Sequence, residues 1–213
     1  MKQRLKELLK KPYKLWQRHY EVSKNFSGKV IPGALSASAW KTVHYKAYSR
    51  LPEIILPPPH LNHSTLQESL EGRHTTRDYN RKTISLSDLS TLLYYSFGIR
   101  EKGKSGRFYP SGGARYPLEV YVTSLHSDLP QGLYHYYVKH HSLERLVGGQ
   151  IDLDKILYTD VSPWLKDVSL VIFITAVWGR TMQKYSDRGF NLVLLEAGHA
   201  VQNMYLTSSA LSM

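Results

Sequence analysis

Apolar and polar positions alternate in a way that divides the chain into a helical first part, a strand-rich middle and a helical end. The most regular stretch is residues 184–206, KYSDRGFNLVLLEAGHAVQNMYL. From Asn191 onward it reads as a helix apolar nearly all round, through Leu192, Leu194, Leu195, Ala200, Val201, Met204 and Leu206. Such a helix belongs in the interior of a protein. Glu196, His199, Asn203 and Thr207 follow one another at steps of three and four, which makes one narrow polar stripe. Buried polar groups need partners, so the stripe faces an internal network, solvent at the helix end, a cofactor or a second subunit. Residues 179–190 read as a loop leading into this helix, and they cluster Lys184, Tyr185 and Arg188.

The remaining elements follow from the same pattern. LPEIILPPPH (51–60) holds four prolines, which lack an amide donor, so it is an extended strap. A helix is expected over 65–71, with Ser64 as cap, Gln67 at capping-box spacing and Gly72 as stop. A second helix, 86–97, has Ser85 and Asp88 at its start, Leu89, Leu92, Leu93 and Phe97 at helical spacing, and Gly98 as its end. Residues 99–107 read as a mobile, lid-like or solvated loop. LEVYVTSL (118–125) alternates as a strand, and 132–138 with 143–147 reads as a hairpin. Residues 151–165 suggest a short helix and loop. VSLVIFITAVW (168–178) is a continuous apolar run, expected for a strand covered on both faces. Helices, then strands, then a helix give an α+β architecture: a mostly antiparallel sheet packed against a buried central helix.

Length and composition narrow the class. The 213 residues, 42% of them hydrophobic, suit one domain over 51–213, with residues 1–50 as an N-terminal extension packed on it. There is no cysteine, which rules out disulfides and thiolate metal sites and is compatible with a cytoplasmic protein. No apolar run reaches the roughly 20 residues of a membrane helix. The net charge of +11 is drawn in part from a basic start, MKQRLKELLKK, which reads as a short amphipathic helix. No nucleic-acid motif accompanies the charge. Glu196 and His199 have the spacing of half a di-iron carboxylate site, but the second copy such a site needs is absent, so no metal is expected.

Two short segments carry candidate chemistry. Arg73–His74–Thr75–Thr76–Arg77 places two guanidinium groups around hydroxyls, a phosphate cradle or a solvated turn. In Pro110–Ser111–Gly112–Gly113 the glycines let the backbone approach a ligand and can form an anion-binding concavity, or make a plain turn. The spacing is neither that of a dinucleotide fingerprint nor that of a P-loop.

Taken together, YSRLPEIILPPP, EGRHTTRDYN, FYPSGGARYPLEVYV, GLYHYY with HSLERL, and KYSDRGFNLVLLEAGHAVQNMYL resemble, in order and spacing, the nitroreductase-like flavoproteins, and among them the SagB-type dehydrogenases. The resemblance spans residues 45–213. It implies a nitroreductase-like fold and an FMN-dependent oxidoreductase whose flavin sits at a homodimer interface. It implies that Arg73, His74, Thr75 and Arg77 hold the flavin phosphate and ribityl chain, and that Pro110, Ser111, Gly112 and Gly113 lie near the flavin. It implies that Lys184 and Tyr185 are catalytic in oxidising an azoline heterocycle, small or peptide-borne. That reaction removes a hydride and a proton. The flavin takes the hydride, and a base must take the proton. The alternatives are an NAD(P)H-driven nitro or quinone reductase, and an inactive relative serving as a binding subunit. Family members continue past the central helix into a further strand beside the flavin and a basic C-terminal residue. The resemblance therefore implies an incomplete C-terminal part here, with a sheet edge left unpaired.

Overall fold

The computed structural model describes residues 43–61, 64–100, 106–153, 165 and 167–213. The amphipathic helix expected at the N-terminus, residues 101–105 of the expected loop and most of the helix expected over 151–165 lie outside these.

Five strands form one sheet in the order β1-β4-β3-β2-β5, with every neighbouring pair antiparallel. They are β1 (Glu53–Ile55), β2 (Leu118–Ser124), β3 (Gly132–Tyr137), β4 (Ser142–Gly148) and β5 (Leu170–Ala176). The strap contributes β1, which pairs with β4 so that Ile54 stands opposite Leu143. Four helices accompany the sheet among the described residues: α1 (Leu66–Gly72), α2 (Leu86–Phe97), α3 (Gly179–Tyr185) and α4 (Arg188–Ala210).

The alternation of β2 determines which side chains meet which layer. Leu118, Val120 and Val122 enter the main core with Leu89, Leu93 and Phe97 of α2, Tyr134 and Tyr136 of β3, and Val193 and Ala200 of α4. Glu119, Tyr121 and Thr123 take the opposite face, where the strap folds over: the Tyr48 amide donates to Glu144 at 2.6 Å, and Lys46 Nζ donates to the Tyr121 hydroxyl at 2.6 Å. The sheet is thus covered on both faces over its middle strands.

The α+β architecture and helix α2 match the sequence reading; Ser85 accepts from the Asp88 amide as N-cap. Several details differ. Helix α1 is capped by Thr65 in a capping box with Glu68, not by Ser64 with Gln67, and Gly72 is its last residue rather than its stop. The shift by one residue follows from carboxylate chemistry: Glu68 Oε2 accepts the Thr65 amide at 2.7 Å. His140 and His141 lie in the hairpin turn, where His141 has φ +50 and uses its two ring nitrogens on Ser90 and the Tyr136 hydroxyl. Strand β5 is an edge strand, half-buried except at the exposed Thr175, rather than sealed on both faces.

The largest difference concerns α4. It begins at Arg188, three residues before the expected Asn191, and it is not buried all round. Val193, Glu196, Ala200 and Thr207 are buried, whereas Leu194, Leu195, Gly198, His199, Gln202 and Tyr205 form one continuous exposed face. Leu195 is 62% exposed. The polar stripe therefore splits: Glu196 and Thr207 point inward and His199 outward.

Candidate active site

The segment after Pro110 makes a tight 3-10 turn, Gly112–Ala114. Gly113 has φ +62, which glycine adopts without steric cost. Ala114 (φ +54) and Tyr116 (φ +47) share the left-handed region, where a Cβ is strained. One side chain holds this conformation. Ser111 Oγ accepts the Tyr116 amide at 2.9 Å, and the Ser111 carbonyl accepts the Ala114 amide at 3.0 Å.

Behind the turn stands α4. Ser111 Oγ donates to Glu196 Oε2 at 2.7 Å, and Gly112 lies so close to Leu192 that an added Cβ would meet Cδ1 at 3.2 Å. Glu196 is 1% exposed, and its Oε1 has no hydrogen-bond partner. Burial pushes its carboxyl up to about 7, against the pull of the Ser111 hydroxyl, the Arg107 guanidinium and the Gly112 amide. Arg107 is itself buried and donates to the Tyr109 hydroxyl at 3.0 Å.

In front of the turn stands α3. Lys184 and Tyr185 are its last two residues rather than loop residues, because 179–185 forms about two helical turns with no side-chain cap. Both reach Gly113: a Cβ built there would lie 2.6 Å from Tyr185 Oη and 2.9 Å from Lys184 Nζ. The ammonium also lies 5.4 Å from the centroid of the Tyr185 ring. Lys184, Tyr185, Ser111, Gly112 and Gly113 thus share one place, with Glu196 behind them.

Helix α3 is anchored from the strap-covered face of the sheet. Arg180 Nη1 pairs with Glu119 Oε1 at 2.6 Å and donates to the Tyr116 carbonyl at 3.1 Å, while Arg115 Nε donates to the Arg180 carbonyl at 2.9 Å. Glu119 Oε2 lies 3.0 Å from His135 Nε2, and His135 Nδ1 lies 2.7 Å from Glu144 Oε2. All four side chains of this chain of contacts are buried. None was singled out in the sequence. The available signal was an ionisable residue in the middle of each of three strands, a costly position unless it is paired.

Arg73, His74, Thr75 and Arg77 are exposed and follow α1 without regular structure. His74 Nδ1 lies 3.0 Å from the Gly72 carbonyl. Gly72 sits against the far end of α4, where an added Cβ would meet Ser209 Oγ at 2.8 Å. Leu192 and Ser209 are seventeen residues apart on α4, about 25 Å along the axis at 1.5 Å per residue. Within one chain, then, the glycine turn and the start of the arginine segment adjoin opposite ends of α4. Pro110 is exposed at the head of the turn.

An antiparallel five-stranded sheet with a long helix beneath a glycine turn is a nitroreductase-like fold, and sequence comparison makes the family assignment. The chain belongs to the nitroreductase family, whose model matches residues 70–213. It is 30% identical over 156 residues to the nitroreductase-like protein MJ1384 of Methanocaldococcus jannaschii, covering 73% of this chain and 78% of that protein. It is 26% identical over 158 residues to the microcin B17-processing protein McbC of Escherichia coli, covering 71% of this chain and 57% of McbC. Two solved structures share the fold: a nitroreductase-like protein of Ralstonia eutropha, with TM-score 0.60 and 24% identity over 79% of this chain and 77% of that one, and the E. coli microcin synthetase McbBCD complex with truncated pro-MccB17 bound, with TM-score 0.55 and 22% identity over 92% of this chain and 80% of the matched one.

Proposed function

We propose that this nitroreductase-family chain is an FMN-dependent oxidoreductase of the SagB-like kind, acting on an azoline-type heterocycle carried on a peptide or a small molecule. The observation that carries the reading is the convergence of Lys184 Nζ and Tyr185 Oη on the bare backbone of Gly113. Two groups able to exchange protons, held together at one turn, suit proton removal from a ring bound beside them. The similarity to McbC, which processes microcin B17, supports a peptide-borne substrate.

The residues present fit a flavin nucleotide. Gly113 carries no side chain where the movable ends of Tyr185 and Lys184 come down on its backbone, and Arg73, Thr75, Arg77 and His74 offer exposed charge and donors of the type that hold a phosphate. When bound, the flavin supplies a two-electron hydride acceptor. The protein's own part is to seat the ring at Ser111–Gly113, to orient the substrate there and to take up the proton at Lys184 Nζ in its free-amine form or at Tyr185 Oη in its phenolate form. Loss of one hydride and one proton converts an azoline to an azole, so no further redox partner enters that step.

We also propose a homodimer joined through α4. The exposed apolar face of Leu194, Leu195 and Tyr205 favours a second copy as its cover. A second copy also answers the separation of the arginine segment from the glycine turn, because an opposed α4 brings one chain's Ser209 end near the other's Leu192 end. NAD(P)H-driven reduction of nitro compounds or quinones is the second reading, favoured by the similarity to MJ1384. Absorbance spectra of the purified chain before and after addition of FMN test the flavin. Colourless protein that takes up no FMN overturns it. Product analysis with a thiazoline peptide and, separately, NADPH consumption with a nitroaromatic distinguish the two chemistries.

A further inference from the structure

Glu196 plays no part in the proton removal proposed for Lys184 and Tyr185, yet it is a buried carboxyl in direct contact with the turn that would meet the ligand. We infer that Glu196 sets the hydrogen-bond polarity of Ser111, so that the turn offers an outward O–H donor while the carboxyl holds its proton and only an acceptor lone pair once the carboxyl is ionised.

The argument rests on counting the positions around one oxygen. A serine hydroxyl has one hydrogen and two lone pairs. One lone pair of Ser111 Oγ is fixed by the Tyr116 amide at 2.9 Å, because that bond closes the turn that holds Gly113, Ala114 and Tyr116 in the left-handed region. A second position faces Glu196 Oε2 at 2.7 Å. If the carboxyl is ionised, the Ser111 hydrogen must point inward to it, which leaves a lone pair at the third position. If the carboxyl is protonated, it donates to Ser111, and the Ser111 hydrogen is displaced to the third position. Ser111 is half-buried rather than sealed, so the third position is the one left for a ligand to meet.

The surroundings of Glu196 allow both states. Its Oε1 is buried and has no hydrogen-bond partner among the described residues, so the Ser111 hydroxyl, the Gly112 amide and the Arg107 guanidinium act against burial without a salt bridge to lock the carboxylate form. The charged and titratable groups near it are Arg107 and Tyr109 from the segment before the turn, and Lys184, which approaches the turn from α3 at Gly113. The buried residues of α2 include no ionisable side chain. Burial outweighs the single guanidinium, and the carboxyl is raised to about 7. The ligand chemistry favoured at lower pH is a ring carbonyl or ring nitrogen that accepts a hydrogen bond, as an oxidised flavin presents. In this respect the inference rests on the flavin reading above.

Two measurements test it. In the first, riboflavin affinity is followed by fluorescence quenching across neutral pH; riboflavin is chosen because it lacks a phosphate whose own ionisation would intrude. Wild type should lose about tenfold in affinity as the pH rises through neutrality, the worth of one such hydrogen bond. Glu196→Gln and Ser111→Ala should both give flat profiles, the serine variant at the weaker level. A Glu196→Gln profile that still falls like wild type overturns the inference. In the second, the Glu196 carboxyl resonance is titrated in flavin-free, 13C-glutamate-labelled protein and assigned by its absence in Glu196→Gln. A midpoint near neutrality that moves up in Ser111→Ala supports the coupling. A midpoint in the ordinary carboxylate range, or one indifferent to Ser111, overturns it. If neither riboflavin nor FMN binds at any pH, the flavin reading fails by itself, and the resonance titration still decides whether Glu196 and Ser111 are coupled.

Discussion

The Tyr185 hydroxyl closes over the α-carbon of Gly113, where an added Cβ would lie 2.6 Å away. Gly113→Ala therefore meets both the phenol and the left-handed φ of +62. The atoms it strikes are the mobile ends of Tyr185 and Lys184, which can swing aside, so the stability cost should stay near that of the backbone, about 1–2 kcal/mol. Turnover should fall much further, about 100-fold, because the pair is displaced from its surface. Thermal unfolding and azoline oxidation measured on the same preparation check the contrast.

Lys184→Ala and Tyr185→Phe should each lower azoline oxidation by roughly 10²–10⁴-fold, the usual worth of a positioned acid or base. Flavin content and nitroaromatic reduction with NADPH should change by no more than a few-fold. Equal loss in both assays would assign the pair to flavin binding rather than to proton transfer.

Glu196 makes stability depend on pH. The unfolded carboxyl titrates near 4.5 and the folded one at about 7. Between these values the folded state holds the proton that the unfolded state has released, so stability falls as pH rises, by on the order of 3 kcal/mol once both forms are ionised. Glu196→Gln removes this slope. Urea denaturation should show the variant gaining on wild type from mildly acidic to mildly alkaline pH, with no change of that kind below the unfolded titration.

Arg73→Ala and Arg77→Ala should weaken FMN binding by about 1.5–3 kcal/mol each, the worth of a hydrogen bond to a charged group, while riboflavin binding stays as it is. Parallel titrations with the two flavins separate a phosphate role from a general surface effect. Loss of riboflavin affinity to the same extent would sink the phosphate assignment.

Leu195→Glu places a charge in the middle of the exposed α4 face, where Leu195 makes no contribution to the core of its own chain. The variant should fold, with its thermal midpoint measured in the absence of flavin near that of any surviving monomer. It should sediment as a monomer where wild type sediments as a dimer. A wild-type monomer at all concentrations refutes the homodimer directly.

Much of this architecture was legible in the chain. Ser85 and Asp88 announce α2 because capping is local chemistry, and the alternation through Leu118, Val120 and Val122 announces β2 because the pleat has a period of two. The glycine turn and the Lys184–Tyr185 pair were each visible, but their meeting at Gly113 was not, since some seventy residues separate them. Helix α3 escaped notice because it has only seven residues and no capping side chain at Trp178. Leu194 and Leu195 were read as interior because apolar periodicity cannot tell a core face from a face left for another surface. The Glu119–His135–Glu144–Arg180 array depends on strand register and on a helix returning to the sheet, neither of which short-range pattern encodes.

The placement of Gly72 against Ser209, and of Gly112 against Leu192, has a geometric consequence for the proposed pair. A rotation axis crossing α4 at its middle exchanges the two ends of the rod, so each flavin would be held by unlike halves drawn from different chains. Two damaged proteins, one carrying Arg73→Ala and the other Lys184→Ala, would then complement each other: half of the sites in a mixed pair inherit both lesions and the other half neither. Co-refolding the two variants, at an FMN concentration that leaves the Arg73→Ala protein largely empty, should restore azoline oxidation well above that of either alone, an arithmetic of shared ownership that a self-contained monomer could not reproduce.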